Sequence, residues 1–537
     1  MSRMYTFHET VRGYFHIKNG YPCEDASVSL SAEDGRYHIA VVADGHGSST
    51  CFRSEYGARA AVLVASECLR QFAGTVLASE ETEDRFYQDL FSNPRYRQMT
   101  IRQLTDTILA GWYDRILEDY ENNPPSAEEL GEGAAEYENG KSPAHIYGTT
   151  LIAALQLPKC LLLLHQGDGR CEVFFPDGSV EQPVPWDARC EDAVTTSLCD
   201  EDAAESFRSH VIDLEAKPVM ACYLGSDGVE DAYRDTYEAL GGSHVRMGGV
   251  HTFYKALTCQ LAKMGQAEFE AYLKELLPEF SANGKFSRSG SGDDVSVAGI
   301  VDLDAILQFV AEYECDVKRY ELEEELFWKE DELRGKTRKH GILQKRLEEA
   351  QSALQAAQER QQELEVRLFQ LRQQREEYAK EAGQAKAELE EYRQESQSAS
   401  EQMEGKFLRV ANEVRRFISE ISDGYAQKEA AYEKMLEELS EYDERIKQGE
   451  EEQSAGAEEI RELEEKLAGA QAVFEEYDVK YQAIDAERRR MEGEIAALRG
   501  KTGGQKEEKS NGDEITGRED LSGMSGTAGL QNPMDGF

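Results

Sequence analysis

The chain has 537 residues, 40% of them hydrophobic, and a formal net charge of −45. That length allows more than one domain, and the first half alone could bury a full core. So large a negative charge argues against a general binder of nucleic acid or of an anionic membrane, where cations must face phosphates.

No stretch approaches the length of a spanning apolar helix, and the opening MSRMYTFHETVRG lacks an apolar signal core, so a cytoplasmic protein is expected. The 10 cysteines all lie at or before Cys315, with no Cys-x-x-Cys pair. That spacing is not a zinc site, and cytosolic thiols normally stay reduced. Cys23 beside Glu24 invites a nucleophile reading, against which stands the tendency of free cysteine to be buried as a small hydrophobe.

Taken in order, the chain up to about Asp302 mixes strands and helices. Val28–Leu30 and Tyr37–Val42 read as strands joined by the polar turn Glu33-Asp34-Gly35. A helix from Ser54 to Phe72 carries Ala58, Ala61, Val62, Ala65 and Leu69 on one face, and a second near Ile101–Tyr120 carries Leu104, Ile108, Leu109 and Trp112. Asn122–Ser142 turns to Pro, Gly and Glu and reads as a solvated loop. Strands resume at Thr149–Leu157, Cys160–His165, Cys171–Phe175 and Val219–Leu224. Helices follow at Thr252–Met264 and Glu268–Leu277, and Val295–Val301 closes the domain. Runs of strands and of helices, without regular alternation, predict an α+β layered sandwich over a doubly wound sheet.

Past Asp302 the character changes. Residues 303–342 are rich in helix formers and read as a helical connector. From Leu343 apolar residues fall at heptad spacing through Leu347, Leu354, Leu364, Leu371, Tyr378 and Leu389. The phase slips and resumes at Met403, Phe407, Val410, Val414, Phe417 and Ile421, then runs cleanly from Leu463 to Leu498. Residues 343–499 are therefore expected to be a coiled coil, with breaks near residues 423–424 and 449–456, where Gly interrupts. It pairs either with a second chain, as a homo-oligomer, or with another helix, a fold-back of its own included. From Gly500 to residue 537 the composition predicts a disordered tail.

One device recurs through the first domain. The strand Ile39–Val42 ends in Asp44, Gly45 and His46, and further Gly-adjacent aspartates stand at Asp168, Asp227 and Asp293. The acidic pair Glu24-Asp25 precedes the strand that leads to Asp44. If these strand ends converge, carboxylates so close raise one another's pKa, and divalent cations remove that penalty. Oxygen donors without a His/Cys cluster select Mg²⁺ or Mn²⁺.

The ordered set CEDA, VVADGHGS, GTTLIAAL with GDGR, GSDGVEDA and GSGDDVSVAGI resembles the metal-dependent protein serine/threonine phosphatases of the PPM, or protein phosphatase 2C, family. It covers residues 1–302, and VRGYFHIKNGYPCEDA and WDARCEDAVTTSLCDEDA resemble a bacterial branch. The resemblance implies a four-layer α-β-β-α sandwich, a phosphorylated protein as substrate, and two Mn²⁺ or Mg²⁺ ions at one end. Carried over by position, Asp44 bridges both ions and the Gly45 carbonyl binds one. Asp227 and Asp293 complete the other's ligands, and Glu24 and Asp25 hold metal-bound waters. Asp168 and Asp231 match a weaker third metal site, and His46 the histidine that protonates the leaving alcohol. Two ions would lower the pKa of a bridging water and clamp the phosphoryl oxygens for in-line attack.

Two departures stand out. The family commonly has an arginine shortly before the acidic pair to grip the phosphate. None stands at that spacing here, and Lys18 or Arg12 are the substitutes in reach. Asp294 occupies a position where the family commonly has Asn, and adds charge near the metals. Two other functions compete with a bacterial signalling phosphatase. One is a non-catalytic phosphoprotein-binding coiled-coil scaffold, which would not need the complete metal set. The other is a metal-dependent hydrolase of small phosphate esters.

Overall fold

In the computed structural model, residues 3–130, 142–190, 194–233, 247–283, 292–404 and 411–507 are described. Through β6 the elements are β1 (Met4–Val11), α1 (Tyr14–Asn19), β2 (Ala26–Ser31), β3 (His38–Ala43), α2 (Ser54–Val76), α3 (Glu80–Ser92), α4 (Pro94–Asn122), β4 (Leu151–Gln156), β5 (Cys160–Gln166) and β6 (Arg170–Phe174). There follow β7 (Val180–Glu181), β8 (Arg208–Asp213), β9 (Ala221–Gly225), α5 (Asp227–Asp231), α6 (Met247–Met264), α7 (Gln266–Asn283), β10 (Val295–Asp302), α8 (Val310–Glu404) and α9 (Ala411–Glu507).

The strands form two five-stranded antiparallel sheets, ordered β1-β10-β9-β6-β7 and β2-β3-β4-β5-β8. The inner strands are apolar on both faces because both faces are covered. In β3, Ile39, Val41 and Ala43 join the core beneath α2 and α4, while Ala40 and Val42 join the core between the sheets. β10 divides likewise: Val295, Val297 and Val301 face α6 and α7, and Ala298 and Ile300 face the other sheet. Helix, sheet, sheet, helix is the expected α+β four-layer sandwich.

The helical faces read from spacing are the buried ones: Ala58, Ala61, Val62, Ala65 and Leu69 on α2, and Leu104, Ile108 and Trp112 on α4. α4 starts earlier than expected because Asn93 caps it, accepting from the Arg95 and Tyr96 N–H groups, with Pro94 at the first helical position. β1, α1, α3 and β8 were not foreseen. β1 alternates buried Tyr5 and Phe7 with polar residues and pairs with β10 along its whole length. Residues 131–141 of the expected loop lie outside the described residues. No single helix among the described residues is long and apolar enough to cross a membrane.

The chain divides into two compact units, Met1–Phe327 with Met491–Phe537, and Trp328–Arg490. The first does not stop near Asp302. Ile306, Phe309 and Tyr313 are buried in the same core as β9, β10, α6 and α7, and Lys255 Nζ donates to Asp316 at 2.6 Å.

In the second unit the two long helices run antiparallel and pair with each other. Arg360 meets Glu459 at 2.9 Å, Arg372 meets Glu450 at 2.6 Å, and Arg375 meets Asp443 at 2.7 Å, one number falling as the other rises. The fold-back is thus within the chain; residues 405–410, Phe407 and Val410 among them, lie outside the described residues. The positions expected to break the coil do not: Gly424, Gly449 and Gly456 run inside the continuous α9. They make room for the facing helix, since a Cβ on Gly449 would meet Leu368 Cδ2 at 2.5 Å and one on Gly424 would meet Tyr392 Oη at 2.5 Å. A helical glycine costs only about 1 kcal/mol against alanine, which packing offsets. α9 also runs on to Glu507, past Gly500, and residues 508–537 lie outside the described residues.

Candidate active site

Antiparallel pairing puts the end of one strand beside the start of the next, so the acidic motifs meet at one end of the sandwich. Ala26, just after Glu24-Asp25, pairs with Ala43, just before Asp44. Gly225, just before Asp227, pairs with both Val297 and Arg170, which follow Asp293 and Asp168. The result is a cleft of about 690 Å³ whose lining includes Glu24, Asp44, Gly45, Asp168, Asp227 and Asp293 with His16 and His46. Asp25 lies buried behind it, and Asp231 ends α5.

Each side chain has a local reason for its place. The Asp44 carbonyl accepts from Thr150 N–H at 2.7 Å and Thr149 Oγ1 at 2.8 Å, and its own N–H donates to Thr150 Oγ1 at 3.0 Å, which fixes the backbone while the side chain lines the cleft and hydrogen-bonds with Asp227. Gly45 forms a bridge with Thr149, and a Cβ there would meet the Glu24 carbonyl at 2.5 Å. Ser54 Oγ donates to Glu24 at 3.0 Å. His46 is held by its N–H to the Gly148 carbonyl at 3.1 Å. Its ring lies so close to Gly148 that a Cβ would come within 2.6 Å of Cδ2.

The electrostatics are those of an anionic hole. Burial first, and then the neighbouring carboxylates, raise Asp44 and Asp227 well above the usual aspartate range. The same causes lift Asp25 to about 8, and one of its oxygens is buried with no hydrogen-bond partner. Burial also raises Glu24, Asp168 and Asp293. Burial, then His145, lowers His46 to about 4. Among the described residues no three such side chains stand in a finished coordination shell. The donor set nonetheless fits a hard divalent ion: all the donors are oxygens, they repel one another, and one is orphaned.

Neither Arg12 nor Lys18 lines the cleft. Arg12, which precedes α1, donates to the carbonyl of His16 in that helix at 3.1 Å, and Lys18 is exposed. The basic group in the cleft is His16, which sequence reasoning missed. It lay in the VRGYFHIKNGYPCEDA segment, but with no signal of its own beyond its distance from Glu24. Its Nδ1 is 2.9 Å from the Pro22 carbonyl and 3.1 Å from Asp294, and its Nε2 is 3.6 Å from Asp293 and 3.9 Å from Glu24. The hydrogen bond to Asp294 raises His16 to about 9 against the effect of burial. Burial would raise Asp294, but bonds from His16 and from the Gly13 and Glu24 N–H groups, the latter two at 2.5 Å, hold it low. The extra charge at this position is therefore taken up by His16 and backbone, and Asp294 points away from the metal role. Burial pushes the Cys23 thiol far up, which disfavours the thiolate a nucleophile needs.

A stability prediction follows from the raised carboxyls. A group whose pKa is higher folded than unfolded stabilises below its unfolded value and loses that contribution as pH rises through the folded one. For Asp25 that window runs from the ordinary 3.8 to about 8. The metal-free protein should therefore melt at falling temperature from pH 5 to pH 8. Mn²⁺ at a hundredfold excess over its Kd should add about 2.7 kcal/mol, with a larger shift at pH 8 than at pH 5. A Tm that is flat with pH and unmoved by Mn²⁺ would contradict this account.

A two-sheet sandwich with a carboxylate cleft at its strand ends can hold hard divalent ions, and fold alone does not fix the reaction. Residues 12–277 match the sequence profile described as Protein phosphatase 2C. Through this domain the chain belongs to the protein phosphatase 2C family and is a protein serine/threonine phosphatase. No curated protein sequence matches it. Similar solved structures include the serine/threonine phosphatase Stp1 from Staphylococcus aureus, at 16% identity over 56% of this chain and 95% of that one, with a TM-score of 0.31. PppA of Pseudomonas aeruginosa is 16% identical over 56% and 98%, with a TM-score of 0.32. The catalytic domain of the serine/threonine phosphatase PstP, in complex with two manganese ions, is 14% identical over 56% and 97%, with a TM-score of 0.31.

Proposed function

We propose that this chain hydrolyses phosphoserine and phosphothreonine in proteins at the carboxylate cleft, with two Mn²⁺ or Mg²⁺ ions, and that it does so in the cytoplasm. The observation that carries the proposal is the convergence of Glu24, Asp44, Asp168, Asp227 and Asp293 on one cleft with Asp25 buried beside it, carboxylates that raise one another's pKa and that cations would relieve. Asp44 would hold both ions and the Gly45 carbonyl one of them, Asp227 and Asp293 would complete the other's ligands, and Glu24 and Asp25 would hold metal-bound waters. Asp168 and Asp231 would hold a weaker third. Bound there, the ions supply a nucleophilic water at neutral pH and neutralise the phosphoryl oxygens.

The chain's own residues do the rest. His16, fixed at Nδ1 by Asp294 and Pro22, presents Nε2 to the cleft in the place expected of an arginine and orients the phosphoryl group. His46 gives the leaving serine or threonine oxygen its proton. Its buried ring releases a proton readily, and the approach of a dianionic phosphate is what would charge it.

Two substitutions separate these roles. His46→Gln should cut kcat on a phosphothreonine peptide by roughly 10²–10⁴-fold and hydrolysis of para-nitrophenyl phosphate far less, since nitrophenolate leaves unprotonated. His16→Gln should raise KM for both substrates, and His16→Arg should restore it. Equal losses on both substrates for His46→Gln would refute its role as acid. Activity undiminished in excess chelator would refute the metal assignment itself.

A further inference from the structure

The cleft has an acidic floor, and beside exposed polar residues such as Ser48 and Thr50 it carries exposed apolar ones. Helix α1 is six residues long, and of its side chains only His16 is buried. Tyr14, Phe15 and Ile17, with Tyr21 just beyond, are each more than half exposed. Phe15 lines the cleft, and its ring lies 6.0 Å from that of Tyr21. Val194, 63% exposed, lines the same cleft.

These side chains are not what holds the helix in place. The Phe15 N–H donates to the Gly292 carbonyl at 2.7 Å and the Tyr14 N–H to Ser281 Oγ at 3.0 Å, while His16 ties the helix to Asp294. Large apolar groups left in water beside a cleft mark a surface that something covers. What must cross this one is the segment on either side of the phosphorylated residue, because the phosphate has to reach the floor past these side chains, the lips of the cleft. An extended chain advances about 3.3 Å per residue, so only the nearest one or two neighbours touch the lips. Acidic neighbours would face the floor's carboxylates.

We propose that Phe15, Tyr21 and Val194 select substrates with an aliphatic or aromatic residue within two positions of the phosphorylated one. The proposal rests on the phosphoprotein phosphatase reading, and its test does not need turnover. Two fluorescent peptides carry a non-hydrolysable difluorophosphonate in place of phosphothreonine and differ only in leucine or serine at the flanking positions. Their Kd values for the Mn²⁺-loaded full chain are measured by anisotropy. Leucine should bind more tightly by roughly three- to tenfold, the worth of partly burying one such side chain. In Phe15→Ser/Val194→Ser the ratio should fall close to one, and any loss common to both peptides cancels.

A ratio near one in the unaltered chain, or one that survives the substitutions, overturns the proposal. So does a sedimentation result in which these substitutions abolish self-association and leave the ratio alone, for the patch would then be a contact between copies. Failure to hydrolyse para-nitrophenyl phosphate with Mn²⁺ is a separate result, and it would count against the phosphatase reading and not against the lips.

Discussion

Asp44→Asn and Asp227→Asn should each lower turnover of a phosphothreonine peptide by about a thousandfold, the several kcal/mol of charge stabilisation that bound ions contribute. The metal-free variants should at the same time melt at a higher temperature than the unaltered protein at pH 7.5. Both carboxyls are pushed up by burial and by each other, so removing the charge relieves repulsion that the fold otherwise carries. The backbone bonds that position residue 44 involve its carbonyl and N–H, which asparagine keeps. Activity and stability thus move in opposite directions. A variant that lost activity and also melted earlier would show that these residues act through packing and not as ligands.

Ending the chain at Asp304 should leave a protein that does not fold. The last catalytic motif closes at β10, and the composition changes there, yet the core does not. Tyr313 is fully buried with its ring 5.8 Å from Phe174, at right angles to it, and Ile306 is fully buried beside Phe309. Cutting one such aromatic back to alanine costs about 3–5 kcal/mol, against a total stability of about 5–15 kcal/mol for a domain. Met491 and Ile495 are buried too, and Arg499 pairs with Glu323 at 2.8 Å. A version in which Phe327 is joined to Met491 by a flexible linker of about eight Gly/Ser residues should fold and keep its activity on small phosphoesters. Circular dichroism melting of the two decides the matter, and a cooperative transition for residues 1–304 would contradict the packing argument.

Much of this was legible beforehand, and for one physical reason: periodicity and turn chemistry are local. Ile39–Val42, Leu161–Leu164 and Val295–Val301 read as strands because burial on both faces leaves unbroken apolar runs. The heptads of residues 343–499 read as paired helices because an apolar seam facing a partner helix must recur about every 3.5 residues, close to one turn. The acidic set was readable as an ordered series of strand-end motifs, since Asp beside Gly marks where a strand stops.

What needed the tertiary structure was everything decided by partners distant in sequence. β1 became a strand because β10 offered it an edge along its whole length. Gly449 became a contact because Leu368 faces it, where the chain alone suggested a break. His16 entered the cleft because Asp294, 278 positions away in the chain by their numbers, supplies the acceptor for its Nδ1. Arg12, the better phosphate ligand on paper, bonds the His16 carbonyl instead. Residue types and spacings determined that carboxylates would gather at the ends of strands. Which basic group stands over them, and how far past Asp302 the core extends, follow from packing and hydrogen bonding between segments that have no local relation to each other.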